Sequence, residues 1–273
     1  MDYLDCGKYR LVLDQPLIMG IVNLTRDSFS GDGVGGDIQA AIDLAQAQLH
    51  AGAEILDIGA ESTRPGAKPL EEQEELRLLE PVLKEVCSWG VPISVDTYKP
   101  AVMRMALEQG AAMINDISGM TNPDALAAVA SSDCAVCVMH MQGKPQSMQL
   151  APAYGDVLEE VGEWLADAIA RCERAGIART RILLDPGFCF GKAVEHNQML
   201  FRDLGKLSMQ GLPLLVGVSR KSMLGTITGR PVSERMPASI AAAMLAVAKG
   251  AHIVRVHDVA ETRDALLILK ALQ

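Results

Sequence analysis

The chain has 273 residues, a net charge of -9, 49% hydrophobic residues and only 4% aromatic ones. So acidic a balance excludes a general nucleic-acid binder, which needs a basic face to replace the counterions around phosphates, and so few rings require an aliphatic core of the kind made by helices packed on a sheet. The N-terminus MDYLDCGKYR lacks the basic-then-apolar order of a signal peptide, and the most apolar late run, PASIAAAMLAVA, is stopped by Lys249 and is too short to span a bilayer, so a cytoplasmic protein with no membrane partner is expected.

The first element in chain order is a short strand near Tyr9 to Leu13. After it, apolar runs recur at Leu17 to Ile21, Ile55 to Ile58, Val91 to Val95, Met113 to Ile117, Ala135 to Met139, Ile182 to Leu184, Leu214 to Val218 and Ile253 to Val256. They do not alternate apolar with polar, so they read as parallel strands buried on both faces. Amphipathic segments separate them. Ile38, Ile42, Ala45 and Leu49 share one helical face, with Asp37 placed to cap its start and Gly52 to end it. Pro81 predicts a kink or a late start in the second helix. Lys99-Pro100 and Asn122-Pro123 put proline at a first helical turn, and Gly110 and Gly176 stand where helices stop.

Eight strand-then-helix repeats predict an α/β fold, a (β/α)8 TIM barrel formed by residues 1–273 as one domain, with a short N-terminal strand or hairpin covering the barrel bottom. A doubly wound open sheet is the competing arrangement. The six scattered cysteines read as reduced thiols, and Cys134-Ala-Val-Cys137, which opens a strand with no second Cys or His pair nearby, reads as buried structure before metal site.

Barrel enzymes work at the C-terminal ends of their strands. The residues there are Asn23, Asp57 with Glu61-Ser62-Thr63-Arg64, Asp96-Thr97, Asn115-Asp116, His140, Asp185, Lys221-Ser222, and Arg255 with His257. An Asp or Asn just past a strand is ordinarily a cap or turn former. Eight in succession around one rim would instead gather a polar ligand site. Asp96, Asn115 and Asp185 suit a flat heterocycle with adjacent N–H and NH2 donors. Lys221, Arg255, His257 and Arg64 suit a phosphate or carboxylate. GVSRKS imitates the end of a P-loop but has only Gly217 ahead of its lysine, so Lys221 and Ser222 are read as side-chain donors. The glycine-rich LTRDSFSGDGVGGD and AESTRPGAKP read equally as surface loops or as lids.

Taken in order, MGIVNLTRDSFS, LDIGAESTRPGA, SVDTYKP, INDISG, VMHMQGKPQSMQ, ILLDPGFCFGK, GVSRKSMLG and RVHDV resemble the motifs of the dihydropteroate synthase family, from Met19 to Val259. The resemblance implies a transferase of folate biosynthesis that joins p-aminobenzoate to 6-hydroxymethyl-7,8-dihydropterin pyrophosphate. It implies that Asp96, Asn115, Asp185 and Lys221 hold the pterin, with Met139 and Gly217 lining its slot. Arg255 would lie along the ring and reach the pyrophosphate with Asn23 and His257. Thr63 and Arg64, with Pro65, would close over the anion and the amine, Phe190 would pack on the amine's ring, and Ser222 would meet its carboxylate. It further implies Mg2+, with Asn23 as the protein's ligand, competition by p-aminobenzoate mimics of the sulfonamide class, and a homodimer for which PASIAAAMLAVA could supply the interface if it is not spent on the barrel. The family's first loop usually reads close to NVTPDSFSDGG, whereas this chain has Arg26 for the proline and Gly31-Asp32 for Asp-Gly. Two alternatives share the pterin residues. A methyltetrahydrofolate-dependent methyltransferase would have no use for STRPG, SRKS and the Arg255/His257 anion site. A non-catalytic pterin-binding relative would be expected to have lost them.

Overall fold

The computed structural model describes residues 2–25, 33–63, 66–208 and 211–272. Eight parallel strands form one sheet in the order β8-β7-β6-β5-β4-β3-β10-β9. They are β3 (Leu17–Asn23), β4 (Ile55–Gly59), β5 (Ile93–Asp96), β6 (Met113–Asp116), β7 (Ala135–Met139), β8 (Ile182–Asp185), β9 (Leu215–Val216) and β10 (Ile253–Val256). A parallel bridge between Leu184 and Leu214 joins the two ends of that order, so the sheet is a barrel and not the open alternative. β9 is shorter than its apolar run, because the backbone leaves the ladder at Gly217 to enter a turn that reaches a left-handed φ of 57° at Arg220.

Helices cover the outside: α1 (Ile38–Ala51), α2 (Glu72–Val86), α3 (Pro100–Glu108), α4 (Pro123–Ala130), α5 (Val157–Arg174), α6 (Val194–Arg202), α7 (Leu204–Leu207), α8 (Ser222–Thr228), α9 (Met236–Ala248) and α10 (Val259–Leu272). The Asp37 side chain accepts from the Ala40 N–H at 3.1 Å, and Gly52 ends α1 at φ 104°, a conformation open to glycine without penalty. The late start predicted for α2 does not occur. The helix begins at Glu72 and runs through Pro81, with Leu78, Leu79, Val82 and Leu83 buried, so packing against the sheet outweighs the one helical hydrogen bond that proline deletes. Among the described residues no helix is long and apolar enough to cross a membrane.

Two cores result. The larger fills the space between strands and helices. The smaller lies inside the barrel, where Met19, Ile55, Met113, Ala135, Cys137, Leu183, Leu215 and Ile253 meet Leu4, Cys6 and Leu13. Those last residues belong to or adjoin an antiparallel hairpin of β1 (Tyr3–Cys6) and β2 (Tyr9–Val12), the predicted cover of the barrel bottom. All six cysteines are free, and Cys134 and Cys137 are buried, in keeping with their reading as structure.

Candidate active site

The apolar strands carry an alternation that their outer faces conceal. Side chains two residues apart share a face. Ile55 inside the barrel is therefore followed by Asp57, Met113 by Asn115, Leu183 by Asp185 and Ile253 by Arg255. The lower layer seals the bottom, and the next layer up is charged. Strand register sets Asp57 beside Ser94, Asp96 beside Asn115, and Met139 beside Asp185.

Arg255 organises the upper layer. Its Nε donates to Asp57 Oδ2 at 2.6 Å and its Nη2 to Asp96 Oδ2 at 2.9 Å, so the guanidinium is gripped from two strands. Asp57 is fully buried and also accepts from Ser94 Oγ at 2.5 Å and Asn115 Nδ2 at 3.3 Å. Burial alone would lower the Arg255 pKa, but the two carboxylates outweigh it and hold the guanidinium above its ordinary value. Asp96 is pushed up to about 7 by burial and by repulsion from Asp57, against the pull of Arg255.

Across the opening, Asp185 accepts from the Gly187 N–H at 2.7 Å. Burial raises its pKa while Lys221 opposes the shift, and burial lowers the Lys221 pKa while Asp185 opposes that. Lys221 Nζ donates to the Phe188 carbonyl at 2.9 Å and lies 4.8 Å from the centroid of the Phe190 ring. At Gly217 an added Cβ would stand 3.7 Å from Arg255 and 3.8 Å from Lys221, so glycine leaves open the space between these cations. His257 is oriented by a 2.8 Å hydrogen bond between its Nδ1 and Ser219 Oγ.

These groups line a cavity of about 160 Å³ at the C-terminal mouth of the barrel. Asn23, Thr63, Asp96, Asn115, Met139, Asp185, Phe190, Gly217, Lys221, Ser222, Arg255 and His257 all line it. Arg64, with Pro65, Arg26 and Asp32, lies outside the described residues. Of the described strand-end residues, Asp57, Thr97, Asp116 and His140 do not line it. His140 is buried behind the wall, its Nδ1 2.8 Å from Lys192 Nζ, and Asp116 spends its carboxylate on Ser118 and on the Met120 N–H. Burial and the neighbouring ammonium lower the His140 pKa to about 3, so the ring is neutral.

The cavity also holds residues that no motif reading assigned, including Thr25, Met148, Cys189 and Ser219. Asp57 appears in the rim sequence but not among the expected site residues. The signal for it was present, since a lone carboxylate inside the apolar run ILDIG must be buried and therefore paired.

An acceptor beside a cation on each side of the opening, Asp96 with Arg255 and Asp185 with Lys221, and a hydroxyl-bearing edge define a barrel enzyme that holds a flat, donor-rich heterocycle beside an anion. Comparison with known proteins specifies the heterocycle. Residues 19–257 match the family described as pterin binding enzyme. A dihydropteroate synthase from Neisseria meningitidis serogroup C is 51% identical over 97% of this chain and 96% of its own. The crystal structure of Yersinia pestis dihydropteroate synthase in complex with a sulfonamide drug superimposes with a TM-score of 0.96 at 45% identity, covering 98% of each chain. That of the Burkholderia cenocepacia enzyme complexed with 7,8-dihydropteroate gives 0.90 at 46% identity, over 99% of this chain and 96% of that one. The chain belongs to the pterin binding enzyme family and, within it, to the dihydropteroate synthases.

Proposed function

We propose that the chain condenses 6-hydroxymethyl-7,8-dihydropterin pyrophosphate with p-aminobenzoate, giving 7,8-dihydropteroate and pyrophosphate, and that the residues of the cavity divide the work by charge. The observation that carries the reading is the juxtaposition of Asp96, Asn115 and Asp185 with Arg255 and Lys221 in one cavity. The carboxylates and the amide take the paired donors of the amino-pyrimidine edge. Lys221 serves the ring's acceptors, and Arg255, held in one plane by Asp57 and Asp96, lies along the pterin. Phe190 and Ser222 stand where they can pack on the ring of p-aminobenzoate and bind its carboxylate.

An aromatic amine is neutral at pH 7, so no general base is needed to make it nucleophilic. The difficulty is the leaving group. The methylene–oxygen bond breaks with the electron pair passing to pyrophosphate, the electron-rich dihydropterin steadies the cationic carbon, and the amine nitrogen then bonds to that carbon and loses a proton to water. Asn23, Thr63, Arg64, Arg255 and His257 are the residues we assign to the charge developing on pyrophosphate. Among the described residues no group of three or more His, Cys, Asp or Glu could hold a metal ion. Asn23, whose side-chain amide oxygen is a hard donor at the cavity, is the residue that would hold Mg2+ there. When bound the ion would neutralise the leaving group's charge. A carbon isotope effect at the methylene characteristic of associative displacement would refute this order of bond changes.

We further propose a homodimer that acts in the cytoplasm, where six unpaired cysteines are at home, and sulfonamides as competitors of p-aminobenzoate. The decisive experiment follows pyrophosphate release from the pterin substrate with and without p-aminobenzoate in the presence of Mg2+. Release with matching formation of dihydropteroate is expected. Pterin binding by folded protein without turnover would favour the non-catalytic alternative.

A further inference from the structure

The segment between β4 and α2 carries Ser62 and Thr63 to the cavity, and both of its ends meet at one ammonium. Lys99 Nζ donates to Glu61 Oε2 at 2.5 Å, where the segment departs, and to the Leu70 carbonyl at 2.6 Å, where it returns. The Leu70 N–H donates to the same Glu61 oxygen at 3.1 Å, closing the base of the loop. The third Lys99 proton goes to Glu75 Oε2 on α2. The remaining oxygens are also taken. Tyr98 OH donates to Glu61 Oε1 at 2.9 Å, and Thr97 Oγ1 to Glu75 Oε1 at 2.7 Å. The side chains of Lys99, Glu61 and Glu75 are only 12%, 7% and 1% exposed.

An ammonium has three protons, and here all three are used within one buried network. Burial would lower the Lys99 pKa, but Glu61 and Glu75 outweigh it and keep it above its ordinary value, so the lysine stays charged. Charge-assisted hydrogen bonds in a buried setting are directional and hold geometry well. Lys99 stands three residues after Asp96 on the β5–α3 connection, so the network ties the loop to the strand end that bears a pterin acceptor.

We infer that Lys99, with Glu61, Glu75 and Tyr98, is a clamp that sets where the Ser62–Thr63 segment enters the cavity, and so acts as a positioning device for the amine half of the reaction. The inference rests on the proposed function, in which the pterin is held by strand-end residues and the loop closes over the anion and p-aminobenzoate. The clamp touches no reacting atom. Loosening it moves the loop's entry point and leaves the pterin residues where they are.

The test uses two variants of the full chain. Lys99→Met combined with Glu75→Gln removes the ammonium while keeping the network's net charge at -1, since one cation and one anion are deleted together. Tyr98→Phe deletes a single hydroxyl. Steady-state KM is measured for each substrate, binding of 6-hydroxymethyl-7,8-dihydropterin is measured by calorimetry, and hydrogen exchange is followed in the peptide covering residues 62–70. The double variant should raise KM for p-aminobenzoate about tenfold, leave pterin affinity within about twofold, and speed exchange in that peptide. Tyr98→Phe should move the same KM about threefold. Equal losses for both substrates would overturn the clamp, as would an unchanged KM for p-aminobenzoate. If the double variant does not fold, Tyr98→Phe carries the test alone, and an amine KM matching the parent's overturns the proposal. A parent protein that makes no dihydropteroate in the same assay would instead refute the function.

Discussion

Asp57 and Asp96 flank one guanidinium, yet their roles differ. Asp57 is buried, accepts from Arg255, Ser94 and Asn115 and does not line the cavity, whereas Asp96 does. The carboxyl of Asp96, raised to about 7 by burial, titrates in the working range. In the proposed pterin role its ionised form would accept the pterin's donors, so pterin affinity should fall as pH drops through about 7, by up to ~10-fold per unit for a one-proton linkage. Calorimetry of 6-hydroxymethyl-7,8-dihydropterin across that range checks this, and Asp96→Asn should flatten the profile while weakening binding. For stability the sign is opposite. The folded-state value lies above the ~3.9 of an unfolded carboxyl, so this group's contribution is full in acid and is lost as pH rises through about 7.

The hairpin and the strands it plugs illustrate how one element can matter for folding without touching the site. Leu4 is fully buried and packs with Met19, Ile55 and Ile253 at the barrel's lower layer, on the far side of the charged layer from the cavity. Leu4→Ala should cost about 2–5 kcal/mol of stability by chemical denaturation. The kcat of the folded fraction should remain within about twofold. A large loss of kcat in a well-folded variant would mean that the lower layer also shapes the upper one. At this scale most of the fold was legible. The strands, Asp37 and Gly52 at the ends of α1, and the proline starts of α3 and α4 all stand where local chemistry places them. The sequence left a kink or a late start open at Pro81, and the start at Glu72 was decided by burial of the apolar face of α2, a tertiary effect.

On the whole molecule, α9 turns Ser239, Ala242, Ala243 and Ala246 to the barrel, so its small residues are spent on packing. Its Leu245 remains half exposed, and the neighbouring α10 exposes Leu267, Ile268 and Leu272. These exposed apolar side chains on two neighbouring helices are where the proposed homodimer would form. Wild-type protein should show twice the chain mass by light scattering. Leu267→Lys with Ile268→Lys should reduce it to the monomer mass, and an unchanged dimer would exclude this face.

What the sequence by itself determined was the set of parts: eight buried parallel strands, their caps, and the polar residue at each strand end. These follow from local periodicity and from the cost of burying charge without a partner. Motif order then carried the family and most of the cavity's residues, from Asn23 to His257. The tertiary structure alone decided which polar groups became partners. Asp57 meets Arg255 across 198 positions of chain, Lys99 gathers the two ends of the loop from Glu61 to Leu70, and His140 turns to Lys192 and away from the cavity. Such pairings depend on barrel closure and strand register, which bring together residues that no local spacing relates.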